Sequence, residues 1–260
     1  MTQAKEIRSD MGWSTSDRIV VRGHDLPNEL LGELNLGDMA WLEITGRKPS
    51  HEESRMFNAL LLTLVEHGMT PMAIAARLIY MGAPESLQGA VAAGLCGLGT
   101  TYAGTAEGAA RILQEALRER PDADLDALAR DIVAEHRSRR APIPGIGHPV
   151  HKPIDPRTPK LFAIAAETGF AGRYVDLMQR IAAEAERTSG KSLPVNATGA
   201  MGAIASELGL DWRLCRGIAV MGRAVGLVGH LAEEIRHPIA RPIWEWVEET
   251  SSAHARGETS

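Results

Sequence analysis

Aromatic residues are scarce in this chain: three Phe, three Tyr and five Trp make up 4% of 260 residues. A β-sandwich rich in Tyr, Val and Thr therefore has little to be built from. Close-packed helices are the better expectation for a sequence in which Ala, Gly, Leu and Met abound. Cysteine is nearly absent too. Cys96 lies in a Gly/Ala/Leu run and Cys215 between Leu214 and Arg216, so both read as free thiols in a reducing cytosol rather than as a disulfide or a metal site. There is no surplus of positive charge: 28 Lys+Arg against 33 Asp+Glu leave a formal net charge of -5, and no basic field for nucleic acid. No run approaches the ~18 uninterrupted apolar residues a membrane span needs, and the polar start MTQAKEIRSDMGWSTSD lacks the apolar region of a signal peptide. A cytoplasmic protein with neither nucleic acid nor membrane as partner is expected.

What is present is an ordinary globular mixture, 44% hydrophobic and 23% charged, which excludes disorder, collagen and a disulfide-stapled miniprotein. Helix punctuation is frequent. The apolar run Asn58 to Gly68 stops at a His-Gly pair, which predicts a helix closed by His67. Pro71 follows with Thr70 as N-cap and Gly82 as terminator. The small-residue segment SLQGAVAAGLCGLG would let neighbouring helices approach closely. Ala106 to Arg118 and Asp122 to Arg137 carry apolar residues at helical spacing with charges opposite. Further helices are expected at LFAIAAETG, GRYVDLMQRIAAEAERT, AMGAIASELG and CRGIAVMGRAVGLVGHLAEEIR, and an amphipathic segment ends the chain. Strand signals are weak; SDRIVVRGHDL could make one hairpin arm.

Residues 140–160 break the helical rhythm with six prolines and two histidines, too many prolines for a helix interior. Long stiff loops in compact proteins tend to be functional. This one holds Gly145, Gly147, His148, His151, Lys152 and Arg157: backbone that a ligand can approach, an imidazole that exchanges protons near neutrality, and a guanidinium fork suited to a carboxylate. A rigid connector with solvated cations is the competing reading. Arg223 stands alone in an apolar, glycine-rich helix and needs either an internal carboxylate or a bound anion.

With these residues in view, the chain resembles the citrate synthase superfamily. GIGHPVHKPIDPR, VEHG upstream and GRAVGLVGH…RP downstream recur in the same order and at similar spacing from about Asp17 to Trp246. The likeness is greatest to the short members, the citryl-CoA lyases and the C-terminal lyase module of ATP-citrate lyase. It implies an all-α fold with a large helical dimerisation domain from residues 1–104 and 208–260, and a smaller CoA-side domain from residues 105–207.

The resemblance also implies roles. His67 and His148 match histidines that bind the keto or hydroxyl oxygen of oxaloacetate or citrate, and His148 exchanges a proton with it. Arg157, Arg223 and Arg241 match carboxylate-binding arginines, the last commonly supplied by a second subunit. Asn196 is assigned to the substrate. Pro144, Gly145, Ile146 and Gly147, with Lys191, are assigned to coenzyme A. The implied activity is cleavage or condensation of a 3-hydroxy polycarboxyl-CoA, giving an acyl-CoA and an α-keto acid such as oxaloacetate.

Two positions depart from the family pattern. Asn196-Ala197-Thr198-Gly199 stands where Asn-Val-Asp-Gly is usual, so the aspartate that handles the acyl-carbon proton is missing. Gly99-Thr100-Thr101-Tyr102-Ala103-Gly104 stands where citrate synthases place a further histidine. A threonine hydroxyl is no base near neutrality, and general acid/base help is worth ~10²- to 10⁴-fold. Three outcomes stay open: catalysis that is slow or served by Tyr102 or water near Thr198, a different hydroxyacyl-CoA, or a catalytically weak module that binds citrate and CoA. No metal is expected, because His51, Glu52 and Glu53 have no ligand spacing. His230 and His237 read as structural imidazoles on a helix surface. A homodimer or larger homo-oligomer is expected, with Trp244 and Trp246 against a neighbour.

Overall fold

The computed structural model describes residues 7–148 and 151–257. It is built from eleven α-helices and one small sheet among the described residues. The sheet comes first: β1 (Gly12–Ser14), β2 (Ile19–Val21) and β3 (His24–Asp25) form an antiparallel ladder in the order β1-β2-β3. Three short strands thus replace the single expected hairpin arm.

The helices start where the chain supplies caps. α1 (Leu36–Thr45) begins at Asn35, whose side chain accepts the Asp38 amide, and stops at the left-handed Gly46. α2 (His51–Thr63) opens with a reciprocal capping box between Ser50 and Glu53, and α3 (Pro71–Gly82) has Pro71 in its first turn with Thr70 capping the Ala73 amide. α4 (Leu87–Cys96) follows. α5 (Gly104–Glu119) and α6 (Leu125–Ser138) keep their apolar stripes inward, Asp124 capping α6. α7 (Arg157–Glu167) starts four residues earlier than the sequence pattern indicates. Pro159 is no obstacle there, because amides of a first helical turn have no intrahelical acceptor. α8 (Arg173–Ser189) and α9 (Ala197–Glu207) lead to α10 (Cys215–Arg236) and α11 (Ala240–Ser252).

Helix α2 is shorter than expected. It ends at Thr63, and His67 stands on the α2–α3 loop rather than at a helix end. The reason is tertiary. A Cβ added to Gly226 of α10 would lie 1.8 Å from the Val65 carbonyl oxygen, and one on Gly222 would lie 2.4 Å from that of Leu61. The glycine face of α10 thus admits the backbone of residues 61–65 at a distance no side chain allows, and Glu66 then turns the chain by accepting the His67 amide at 2.8 Å.

Two apolar clusters result. The larger joins Trp41, Phe57, Leu60, Leu113, Leu128, Met178 and Ile204, and the smaller joins Met72, Ala76, Ala90, Leu98 and Leu227. α10 serves both, contributing Cys215 and Ile218 to the first and Ala219, Leu227 and Leu231 to the second. The helical run Trp212–Arg236 is long and apolar enough, by length and composition, to cross a membrane, yet half of its most apolar window is buried in the protein. It packs on α2, α3, α4 and α5. Cys215 is buried and Cys96 exposed, both as free thiols.

Candidate active site

A cavity of about 820 Å³ opens where the two clusters meet, a size suited to a large metabolite. It is lined by Met72, Leu98 and Ala219 of the smaller cluster, and faced from the other side by Ala197, Thr198 and Trp212. His67, Tyr102, residues 144–148, Arg157, Asn196, Thr198 and Arg223 all border it. The chain thus brings together residues more than 150 positions apart.

The 144–147 strip is held by backbone pairing. The Gly147 amide donates to the Pro194 carbonyl at 2.7 Å, and the Asn196 amide donates to that of Gly145 at 2.9 Å. Gly145 has φ +85°, and a Cβ there would meet the Gly199 Cα at 2.5 Å. Only glycine fits both the dihedral and the contact. Asn196 works for this strip rather than being free for a ligand. Its Nδ2 donates to the Gly147 carbonyl at 2.6 Å, while its Oδ1 accepts the Gly199 amide and the Thr198 hydroxyl at 3.0 and 2.7 Å. Thr198 Oγ1 also lies 2.9 Å from the Thr105 hydroxyl.

Arg157 does grip a carboxylate with two parallel bonds, but that carboxylate is internal. Its Nε and Nη2 donate to Asp155 Oδ1 and Oδ2 at 3.0 and 2.9 Å, and the Ala197 amide donates to Oδ2 at 2.9 Å. Burial alone would raise the Asp155 pKa, but these bonds outweigh it and lower the value to about 2. Asp155 is a site residue that sequence reasoning missed, although the Asp-Pro-Arg motif contained it.

Arg223 meets the opposite fate. It is 4% exposed, and its Nε and Nη1 find no hydrogen-bond partner among the described residues. Burial lowers its pKa, and Arg157 adds to that while Glu66 opposes it. Of the alternatives for this residue, a bound anion is the one its surroundings favour, since an orphaned buried guanidinium is costly.

Three imidazoles cluster on the rim. The Nε2 atoms of His67 and His151 are 3.1 Å apart, and the rings of His148 and His151 stack at 4.4 Å. The His151 amide donates to His148 Nδ1 at 2.9 Å, so a neutral His148 carries its proton on Nε2. Burial, then the charges of Arg157 and His151, lower the His67 pKa below 6.5; burial and then His151 do the same for His148. Both shifts favour the neutral ring. One nitrogen from each of the three rings lies within 4.8 Å of the others, the only such cluster among the described residues.

Behind His67 runs a buried polar chain. Fully buried Arg77 donates to Glu234 Oε2 at 2.8 Å and to His230 Nδ1 at 2.9 Å, and also pairs with Glu233. With Nδ1 accepting, His230 donates from Nε2 to Glu66, whose Oε2 is 3.0 Å away. Glu66 in turn fixes the His67 amide. Glu234 Oε1 accepts the Ile239 and Ala240 amides at the start of α11. His230 is thus structural, as expected, but buried rather than on a helix surface.

Two assigned residues do not join the cavity. Lys191 lies exposed in the turn after α8, because Gly190 ends that helix in the left-handed conformation and turns the chain away. Arg241, its side chain 67% exposed, pairs with Glu245 at 3.6 Å on the surface of α11. Neither lines the cavity within this chain.

Fold and cavity together define a family. Residues 23–243 match the family described as citrate synthase, C-terminal domain, and the chain belongs to it. The fold is mostly helical and citrate synthase-like, as the sequence implied, with one small sheet added, and the family is one of lyases and synthases. The citryl-CoA lyase of Hydrogenobacter thermophilus is 36% identical and aligns at TM-score 0.81, over 90% of this chain and 88% of that one. ATP citrate lyase from Methanothrix soehngenii, solved in complex with citrate and coenzyme A, shares the fold at TM-score 0.75 with 20% identity, over 91% of this chain and 40% of that one. A probable ATP-citrate synthase of Dictyostelium discoideum is 25% identical over 224 residues, 79% of this chain. This chain spans about a third of that relative's length, 34%.

Proposed function

We propose that the protein cleaves, or in reverse condenses, a 3-hydroxy polycarboxyl-CoA of the citryl-CoA type, giving an acyl-CoA and an α-keto acid such as oxaloacetate. The observation that carries this reading is the convergence of His67, His148, Arg157 and Arg223 on one cavity beside the 144–147 backbone strip. Coenzyme A lies along that strip, and a substrate carboxylate meets the part of the Arg223 guanidinium that lines the cavity. Arg157, already committed to Asp155, acts through its remaining N–H groups and its charge.

In the cleavage direction the hydroxyl proton passes to His67, whose neutral form burial favours. The carbon–carbon bond breaks, its electron pair goes to the thioester enolate, and a carbonyl forms on the oxygen that lost the proton. His148, with its proton on Nε2, steadies that oxygen as a donor. The enolate carbon then needs a proton. Thr198 cannot act as the usual carboxylate, and its hydroxyl is already donated to Asn196; Tyr102, on the cavity wall, or a water beside it supplies the proton. Incubation with citryl-CoA should release oxaloacetate faster than a His148→Ala variant does; equal rates would remove the reading.

The engaged hydroxyl of Thr198 favours a second reading, a homologue that binds citrate and CoA with little turnover. Citrate or CoA would then raise the melting temperature by mass action without turnover. Thr198→Asp separates the two, because a latent enzyme gains rate and a remodelled site does not.

A homo-oligomer completes the proposal. Val225, Val228 and Ile235 on α10 and Trp244, Trp246 and Val247 on α11 are exposed, and covering them with a second copy would bring a partner's α11, with its arginine, toward this face. A stable monomer in sedimentation with full ligand affinity would contradict this.

A further inference from the structure

We infer that His67, His148 and His151 form a binding site for one divalent transition-metal ion of the zinc class. The sequence gives no hint of it, since His67 is 84 residues from His151 and only the fold sets the α2–α3 loop against the loop before α7. The geometry is close to a ready chelate. In tetrahedral zinc sites with bonds of about 2.0–2.1 Å, two nitrogen ligands lie roughly 3.3 Å apart; the Nε2 atoms of His67 and His151 are 3.1 Å apart. His148 brings a nitrogen of its own within the 4.8 Å that encloses all three, and its ring already stacks on His151.

Three imidazoles are the protein ligands of an open site, one that leaves its fourth position to water or substrate. Here that position faces the cavity, because His67 and His148 line its wall. Imidazole donors select zinc, nickel, cobalt or copper over magnesium or calcium. Arg157 and Arg223 oppose a cation, but Asp155 neutralises the first and Glu66, held beside His67, lies near the second. Micromolar rather than nanomolar affinity is therefore expected. Ligation by His148 exchanges the bond that its Nδ1 accepts from the His151 amide, or moves the ring proton. An ion bound here also takes lone pairs from the two histidines assigned to proton transfer, so it competes with that chemistry. The metal-binding claim itself does not depend on the proposed reaction.

The test is titration of the intact protein with Zn²⁺ by calorimetry and with Co²⁺ by visible absorption, in a non-coordinating buffer. One saturable equivalent, an intense tetrahedral Co²⁺ spectrum, and a loss of affinity of at least about tenfold in both His151→Ala and His67→Ala are expected. His51→Ala, on the exposed start of α2, should bind as the parent does. Thermal melting of each variant confirms folding, and the exposed position of His67 makes that variant the safer of the two. No saturable binding, or equal binding by folded His67→Ala and His151→Ala variants, overturns the site.

Discussion

Asp155 and Arg157, two residues apart, close a bidentate ion pair on the cavity wall, with bonds of 3.0 and 2.9 Å. The carboxylate is fully buried and also takes the Ala197 amide at the start of α9. One side chain thereby ties the proline-rich loop to the helix that carries Thr198.

This pair sets an acid limit. The Asp155 pKa is lowered from 3.8 to about 2 in the folded state, so the folded chain binds fewer protons than the unfolded one between those values. The stabilisation, about 2 kcal/mol, is fully present above the unfolded pKa and is lost as pH falls through about 2. Urea denaturation across pH 5 to 2 should show this decline. In Asp155→Asn the decline should shrink, and a variant with an unchanged profile would show that the pair contributes nothing.

Arg223 predicts the reverse trade. Its orphaned guanidinium costs the folded state roughly 1–3 kcal/mol, so Arg223→Met should melt at the same temperature as the parent or higher. The same change should remove most of the thermal shift that citrate produces, equivalent to a loss of roughly 1.5–3 kcal/mol in binding. A less stable variant that still binds citrate normally would sink the anion-site argument.

The close passage of α10 can be tested with two glycines of that helix. Gly226→Ala puts a methyl 1.8 Å from the Val65 carbonyl oxygen and must push the His67 loop away, at a cost of about 1–3 kcal/mol. Gly229→Ala meets nothing within 4 Å and should instead stabilise by about 0.5–1 kcal/mol. Chemical denaturation of both variants reads the contrast directly.

Arg77 anchors the polar chain behind His67. Arg77→Ala leaves Glu234, which is 5% exposed, without its buried partner, and a loss of about 3–5 kcal/mol is expected. Glu66→Gln removes only the half-exposed end of the chain and should cost much less. Similar losses for the two would mean that burial does not rank these bonds.

Much of the helical frame was readable from local chemistry. Thr70-Pro71 and Gly82 bound α3 as written, and Cys215 to Arg236 is one helix as written. The failures have a common cause. α2 stops at Thr63, not at the His-Gly pair, because α10 approaches the backbone beyond it. His151 looked like one more cation in a loop, and Asp155 went unassigned inside its Asp-Pro-Arg motif, because neither partner is fixed by sequence distance alone.

Sequence by itself determined which residues could carry the chemistry. Proline density marked residues 140–160 as a loop, which holds as far as Arg157, where α7 begins, and a lone arginine in an apolar helix had to face something anionic. Only the tertiary structure decided what each of them meets: Arg157 meets Asp155, Arg223 meets the cavity, and His67 meets His151. The reason is physical. Caps and periodicity act over a few residues, whereas pairing a charge or leaving it unpaired depends on how distant helices pack, and here on two glycines that let α10 approach the chain leading to His67.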